Sequence, residues 1–311
     1  MEKVIQTSSI LINQLMRSAQ SIFAAIVLAL TNGSVFAQLS LIDDLGRSIS
    51  LASPATRIVS LAPSITETLF ALRAGKQIAG VTDYCNYPEE AKERPKVGGI
   101  VNPSVEKIIS LEPDLVVMSA EGNSREDFRK LESLGRPVFV TNPRTLEGIY
   151  KSIMDLGVLS GTREDAVALI EAMKQREEAV RATSGKKVRI MLIVSLQPLI
   201  LVGTGTFLAE LINLAGGDNV ASGTGLTYPT FSRESVVLAD PEVAIAMSDL
   251  GVNRETLLSM YPEWKNISAI KDGRVFTIDS DIISRPGPRV INGLEMLQEI
   301  LHSHPSSSQD E

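Results

Sequence analysis

Two glutamates stand in the same local setting in the two halves of the chain. Ser104-x-Glu106-x-Ile108-Ile109 reaches Pro113 after three further residues, and Ser232-x-Glu234-x-Val236-Val237 reaches Pro241 in the same way. Each proline is followed by an acid and then by an apolar run, Leu115 to Met118 and Val243 to Met247. Both glutamates fall in the first turn of a helix and point away from its apolar stripe. A carboxylate there interacts favourably with the helix dipole, which is one sufficient account of both. The other account is recognition. Two equivalent exposed carboxylates can meet two arginines on a partner with twofold symmetry, contacts that steer and orient more than they supply affinity.

A second group of polar and aromatic residues lies at predicted strand ends. Ile58 to Leu61 reads as a buried strand, Ser64 and Glu67 as an S-x-x-E capping box, and Gly75 as a helix stop. Ile78 to Val81 is a second strand, leading into the loop Thr82-Asp83-Tyr84-Cys85-Asn86-Tyr87-Pro88. Parallel sheets bind ligands at the carboxyl ends of their strands, so Ser64 and Tyr84 share one edge. Near the other end of the chain, Val275 to Ile278 feeds the stiff polar loop from Asp279 to Arg289, which contains Asp281 and Arg285. Arg285 and Arg289 suit carboxylate, phosphate or amide oxygens. A salt-bridged surface loop accounts for Arg289 equally well. Tyr228, beside Pro229, is positioned to present an aromatic face across from Tyr84. Gly203-Thr204-Gly205 falls short of a dinucleotide fingerprint because position 208 is leucine, and it reads as a tight turn. Trp264 reads as packing within a helix from Glu255 to Trp264.

Composition excludes several classes. The 311 residues include two histidines and one cysteine. His302 and His304 fall in a polar tail, so neither lobe offers a histidine for a zinc or manganese site or as base for a serine nucleophile. One thiol cannot hold an iron–sulfur cluster, and Cys85 reads as a small buried apolar side chain. No cofactor is expected. A net charge of −7 argues against general nucleic-acid binding. Met1 to Ala37 has early basic residues, an apolar stretch from Ile22 to Leu30 and small residues at its end. It reads as a cleaved signal peptide with Gln38 as the first mature residue.

Beta and alpha segments alternate from Arg57 onward, which implies α/β lobes with parallel sheets covered by helices. Asp44-Leu45-Gly46-Arg47 is a turn between two short strands that precede them. The repeated helix-to-strand unit makes the halves similar lobes facing each other. The expected boundaries are 38–160 for the first lobe, 161–184 for a long connecting helix, 185–303 for the second lobe, and 304–311 for a disordered tail. A helix of that length spans about 30 Å, enough to pass from lobe to lobe.

The string R-I-V-S-L-A-P-S-x-T-E-x-L-F-A-L, with D-Y-C-N-Y-P and K-V-G-G-x-V-N-P-S-V-E-K-I, resembles the periplasmic substrate-binding proteins of ABC importers for cobalamin, iron-siderophores and haem. It is most similar to the cobalamin-binding branch, over about Arg57 to Leu301. The resemblance implies two lobes joined by a backbone helix, a non-catalytic receptor, and cobalamin or another metal chelate in the cleft; a ferric siderophore or haem is the alternative. It implies a permease dimer at the inner membrane as partner, docked through Glu106 and Glu234, and a monomeric protein in the periplasm. Ser64, Tyr84, Tyr228, Asp281 and Arg285 match the branch's cleft positions. Two tryptophans of its best-known member fall near Ile100 and Ser119, a departure that bears on how a corrin ring would be gripped.

Overall fold

Strand alternation builds both halves on one plan. The computed structural model describes residues 38–183 and 185–302, so the expected leader and the tail 304–311 lie outside the described residues. Strands β1 (Leu39–Ile42) and β2 (Ser48–Leu51) form an antiparallel hairpin. The Asp43 carboxylate closes it by accepting from the main-chain N–H groups of Leu45 and Arg47 at 3.0 and 2.9 Å. Next come β3 (Ile58–Ser60), α1 (Pro63–Ala71), β4 (Ile78–Val81), α2 (Val105–Ser110), β5 (Leu115–Ser119), α3 (Arg125–Ser133) and β6 (Val138–Thr141). The four strands β3 to β6 form a wholly parallel sheet in the order β4-β3-β5-β6.

Helix α4 (Leu146–Leu159) and helix α5 (Arg163–Thr183), 21 residues long, carry the chain across. The second half contains β7 (Val188–Leu196), β8 (Leu199–Leu201), α6 (Phe207–Leu214), β9 (Gly217–Asn219), α7 (Arg233–Ala239), β10 (Val243–Met247), α8 (Arg254–Met260), α9 (Ser268–Lys271), β11 (Val275–Ile278), α10 (Ser280–Ser284) and α11 (Val290–His302). Its sheet runs β11-β10-β7-β8, with β9 also paired to β7. The pairs are parallel except β7 with β8. Only Gln197 and Pro198 separate those two strands, and so short a link permits a hairpin but no crossover.

Each inner strand divides its side chains between two cores. Leu115 and Val117 of β5 enter the core that α4 and α5 share, while Val116 and Met118 enter the outer core beneath α2 and α3. In β10, Val243, Ile245 and Met247 enter that same shared core, and Ala244 and Ala246 the outer core of the second lobe. This two-sided burial explains why these strands read as unbroken apolar runs. The shared core passes through Ile149, Ile153, Met173, Val180, Leu294 and Leu297, so α5 is packed between neighbours and does not stand alone as a linker. Among the described residues no helix is long and apolar enough to cross a membrane.

The internal echo extends to the backbone. Glu112, before Pro113, has φ 46°, and Asp240, before Pro241, has φ 42°. Both are left-handed, a conformation few non-glycine residues adopt. The Asp240 carboxylate accepts from the Ser268 N–H at 2.7 Å, and this hydrogen bond holds its carboxyl below the usual range.

Three local expectations are corrected. Helix α1 starts on Ala62 with Pro63 in its first turn and no side-chain cap, so Ser64 and Glu67 do not form a capping box. Trp264 lies in a 3-10 turn, Pro262–Asn266, after α8; it is fully buried and stacks on Tyr261 at 4.2 Å between ring centroids. Proline at 262 ends the helix, because it cannot donate the next hydrogen bond. His302 is the last residue of α11 and not part of the tail, although it is exposed.

Candidate functional site

The carboxyl ends of β3, β4, β5 and β6 gather the loops of the first lobe on one edge, and Asn123 ties them. Its side-chain amide donates to the carbonyls of Leu61 and Ile100 at 3.0 and 2.7 Å, and its oxygen accepts from the Ser119 N–H at 2.7 Å. Tyr84, after β4, is 60% exposed on this edge. Tyr87 on the same loop is 46% exposed, and Ile100 and Ser119, both tied by Asn123, stand near where the resemblance sets the two tryptophans this chain lacks. Ser64 is covered instead of open. Gly287 lies on it so closely that a Cβ at 287 would be 3.2 Å from the Ser64 carbonyl oxygen. A side chain at 287 would press on this contact, so the approach favours glycine.

On the second lobe, Tyr228 is held by main-chain hydrogen bonds between β8 and the segment that follows α6 and β9. Leu201 donates to Pro229 at 3.2 Å, Gly203 to Thr227 at 2.8 Å, and Phe231 to Leu199 at 2.9 Å. A Cβ at Gly203 would lie 2.0 Å from the Leu226 carbonyl oxygen, so glycine at 203 lets this stretch pack directly against the Leu226–Thr227 backbone. Tyr228 faces an ion pair of the first lobe, Glu121 with Arg144 at 2.5 Å. Burial, with a smaller contribution from Glu121, pushes its phenol up. An open groove of about 800 Å³ between the lobes is lined by Arg144, Thr145, Gly203, Thr204, Thr206 and Glu210. Glu210 crosses the boundary to accept from the Leu146 N–H at 2.7 Å, at the start of α4.

The loop from Asp279 to Arg289 closes the other end. Asp279 caps α10 by accepting from Ile282 at 3.0 Å. Asp281 and Arg285, four residues apart, pair at 2.5 Å. Both reach Asn86 of the first lobe: the Asn86 amide donates to Asp281 at 2.8 Å, and Arg285 donates to the Asn86 oxygen at 2.7 Å. Arg285 also donates to Glu67 at 2.8 Å, and Arg289 donates to it twice at 2.7 Å. Arg289 is thus a lobe-bridging residue and not part of a solvated surface loop. Its pairing with Glu67 raises the guanidinium above its ordinary value.

Glu106 and Glu234 both occupy the second helical position, of α2 and α7, behind serine caps. Ser104 accepts from the Lys107 N–H at 3.2 Å, and Ser232 from the Ser235 N–H at 3.0 Å. Both glutamates are exposed. The Glu234 carboxyl is held below its usual range by its own backbone N–H and by the Ser232 hydroxyl. Leu238, one turn on from Glu234, is 88% exposed. Cys85 is buried and receives a hydrogen bond from Thr66 Oγ1 at 3.1 Å, in line with its reading as a small core side chain.

Sequence reasoning missed Glu67, Asn86, Asn123 and Glu210 as interlobe or interloop ties. Glu67 alone carried a legible signal: it is the one charge in Pro63–Ala71, a helix otherwise of apolar and hydroxyl residues.

With that geometry in view, three similarities bear on identity. The chain is 33% identical over 255 residues, 79% of its length and 90% of the relative's, to a vitamin B12-binding protein of Vibrio parahaemolyticus serotype O3:K6. Its fold matches the periplasmic vitamin B12 binding protein BtuF of Vibrio cholerae with a TM-score of 0.70 and 28% identity, covering 80% of this chain and 97% of that one. It matches the periplasmic haem binding protein HutB of Vibrio cholerae with a TM-score of 0.72 and 25% identity, covering 80% and 99%. Proteins with different cargoes thus share the two-lobed frame. Residues 58–282, from the first strand of the parallel sheet to the loop that closes the cleft, fit the model of the periplasmic binding proteins, and the chain belongs to that family.

Proposed function

We propose that this protein is the substrate-binding component of an ABC importer, a receptor and not an enzyme, which captures a corrinoid, cobalamin, in the periplasm and delivers it to the permease dimer of the inner membrane. The observation that carries the reading is the matched pair Glu106 and Glu234, two exposed carboxylates on the same turn of the repeated unit in each lobe. The exposed Leu238 beside Glu234 supports a contact surface there, since so open a large apolar residue is readily explained by a partner that covers it. The protein acts as a monomer toward that partner.

The vitamin B12-binding relative favours a corrinoid as cargo. Tyr84 and Tyr228 supply aromatic walls, and Asp281, with Arg285 behind it, supplies polar groups for peripheral amides. Ser64 acts from beneath, its backbone seating Gly287 in the loop that carries Asp281 and Arg285. The corrin metal need not touch the protein. Haem would call for an axial ligand, and Tyr84, Tyr87 and Tyr228 are the side chains placed to offer one.

Titration of the mature protein by calorimetry is expected to give heat with cyanocobalamin and none with haem or a ferric siderophore; the reverse pattern would replace the cargo. Tyr84→Ala and Tyr228→Ala are each expected to weaken cobalamin binding about tenfold by removing one aromatic wall. Unchanged affinity in both variants would place the ligand elsewhere.

A further inference from the structure

We propose that Glu67 is the positioning residue of the cleft: from the first lobe it grips Arg285 and Arg289 of the second, and thereby sets both the spacing of the lobes and the placement of Asp281 toward bound cargo. The proposal deepens the cargo-binding reading and rests on it for the second half of that statement only.

Glu67 belongs to α1, and its side chain is 2% exposed. Its two oxygens take three hydrogen bonds from residues more than 200 positions away in the chain. From there the contacts run outward. Arg285, 11% exposed, passes from Glu67 to Asn86 and Asp281. Asp281 is 43% exposed and, with the exposed Asn86, carries the group out to solvent. Arg289 lies over the ring of Tyr87 at 4.1 Å, a further contact between the lobes. Gly287, between the two arginines, rests on the backbone of Ser64.

The charges balance: Glu67 and Asp281 against Arg285 and Arg289. Such a buried ionic group gains little net stability over an apolar contact of the same size, because desolvation offsets the attraction. What it provides is geometry, since a planar guanidinium meets a carboxylate in a fixed two-pronged orientation. A plain apolar contact could hold the lobes together equally well, but it could not orient Asp281 at the rim. Arg285 has most of its donors engaged inside this group, so it acts on cargo mainly through Asp281.

The test uses Glu67→Gln, which keeps the shape and one acceptor but removes the charge. Spin labels are placed on Lys107→Cys in the first lobe and Leu238→Cys in the second, both exposed, while Cys85 is buried. In the ligand-free native protein the interlobe distance distribution is expected to be single and narrow, and in Glu67→Gln broad. Cyanocobalamin affinity is expected to fall on the order of tenfold, and Arg285→Gln added to Glu67→Gln to lower it little further, because both act through one ring of contacts. Arg289→Lys, which keeps the charge and loses the two-pronged contact, carries the same test if Glu67→Gln does not fold. A distance distribution unchanged in both variants overturns the proposal. A native protein that binds no corrinoid overturns only the cargo assignment, because the distance measurement needs no ligand.

Discussion

Glu106→Lys combined with Glu234→Lys is expected to abolish cobalamin uptake by vesicles carrying the cognate permease, a fall of about a hundredfold or more, with cobalamin affinity unchanged. The two side chains are exposed, in the first turns of α2 and α7. Reversal turns each favourable contact with a permease arginine into a like-charge contact, and juxtapositions of that kind cost several kcal/mol. Each single reversal should be intermediate, and the loss should ease at high ionic strength because exposed charges are screened. Glu178→Lys, an exposed acid on α5, serves as the control and should transport normally. Full uptake by the double variant would sink the docking proposal, whatever the cargo.

Trp264→Ala is expected to lower the stability of the protein by about 3–5 kcal/mol, the range for removing a buried large aromatic side chain. Trp264 is fully buried, stacks on Tyr261, and donates from its indole nitrogen to the Arg233 carbonyl at 3.2 Å. Arg233 in turn lies over the Tyr261 ring at 4.8 Å. The aromatic pair is therefore the platform on which α7, and with it Glu234, is seated. Urea unfolding followed by circular dichroism measures the loss. Transport by the variant should suffer more than its cobalamin affinity, since the cavity opens beneath the docking helix and not beneath the cleft. A loss below about 1 kcal/mol would mean that the site collapses without consequence.

Much of this architecture was legible in the chain itself. Strands such as Leu115–Ser119 and Val243–Met247 announce themselves because both of their faces are buried, which demands an unbroken apolar run. The first-turn positions of Glu106 and Glu234 were legible because the apolar stripe that follows each of them has the helical spacing. The exposure of Glu106 and Glu234 followed from the same local geometry. The direction of β8 is set by the two-residue link Gln197-Pro198 and not by its apolar run, which carries no sign of whether its neighbour is parallel.

Glu67 shows where local reading stops. Its serine three residues earlier satisfied a local pattern, yet its partners are brought to it by the fold from the far end of the chain. The same holds for Asn86 and Asn123, whose amides act only because separate strand ends converge. The amino-acid sequence by itself determined the two-lobed α/β plan, the repeated unit and the paired carboxylates, because caps, apolar periodicity and turns are interactions between near neighbours. The tertiary structure alone decided which polar groups span the lobes and which aromatic faces stay open, because a buried charge takes its meaning from the partner that packing sets against it.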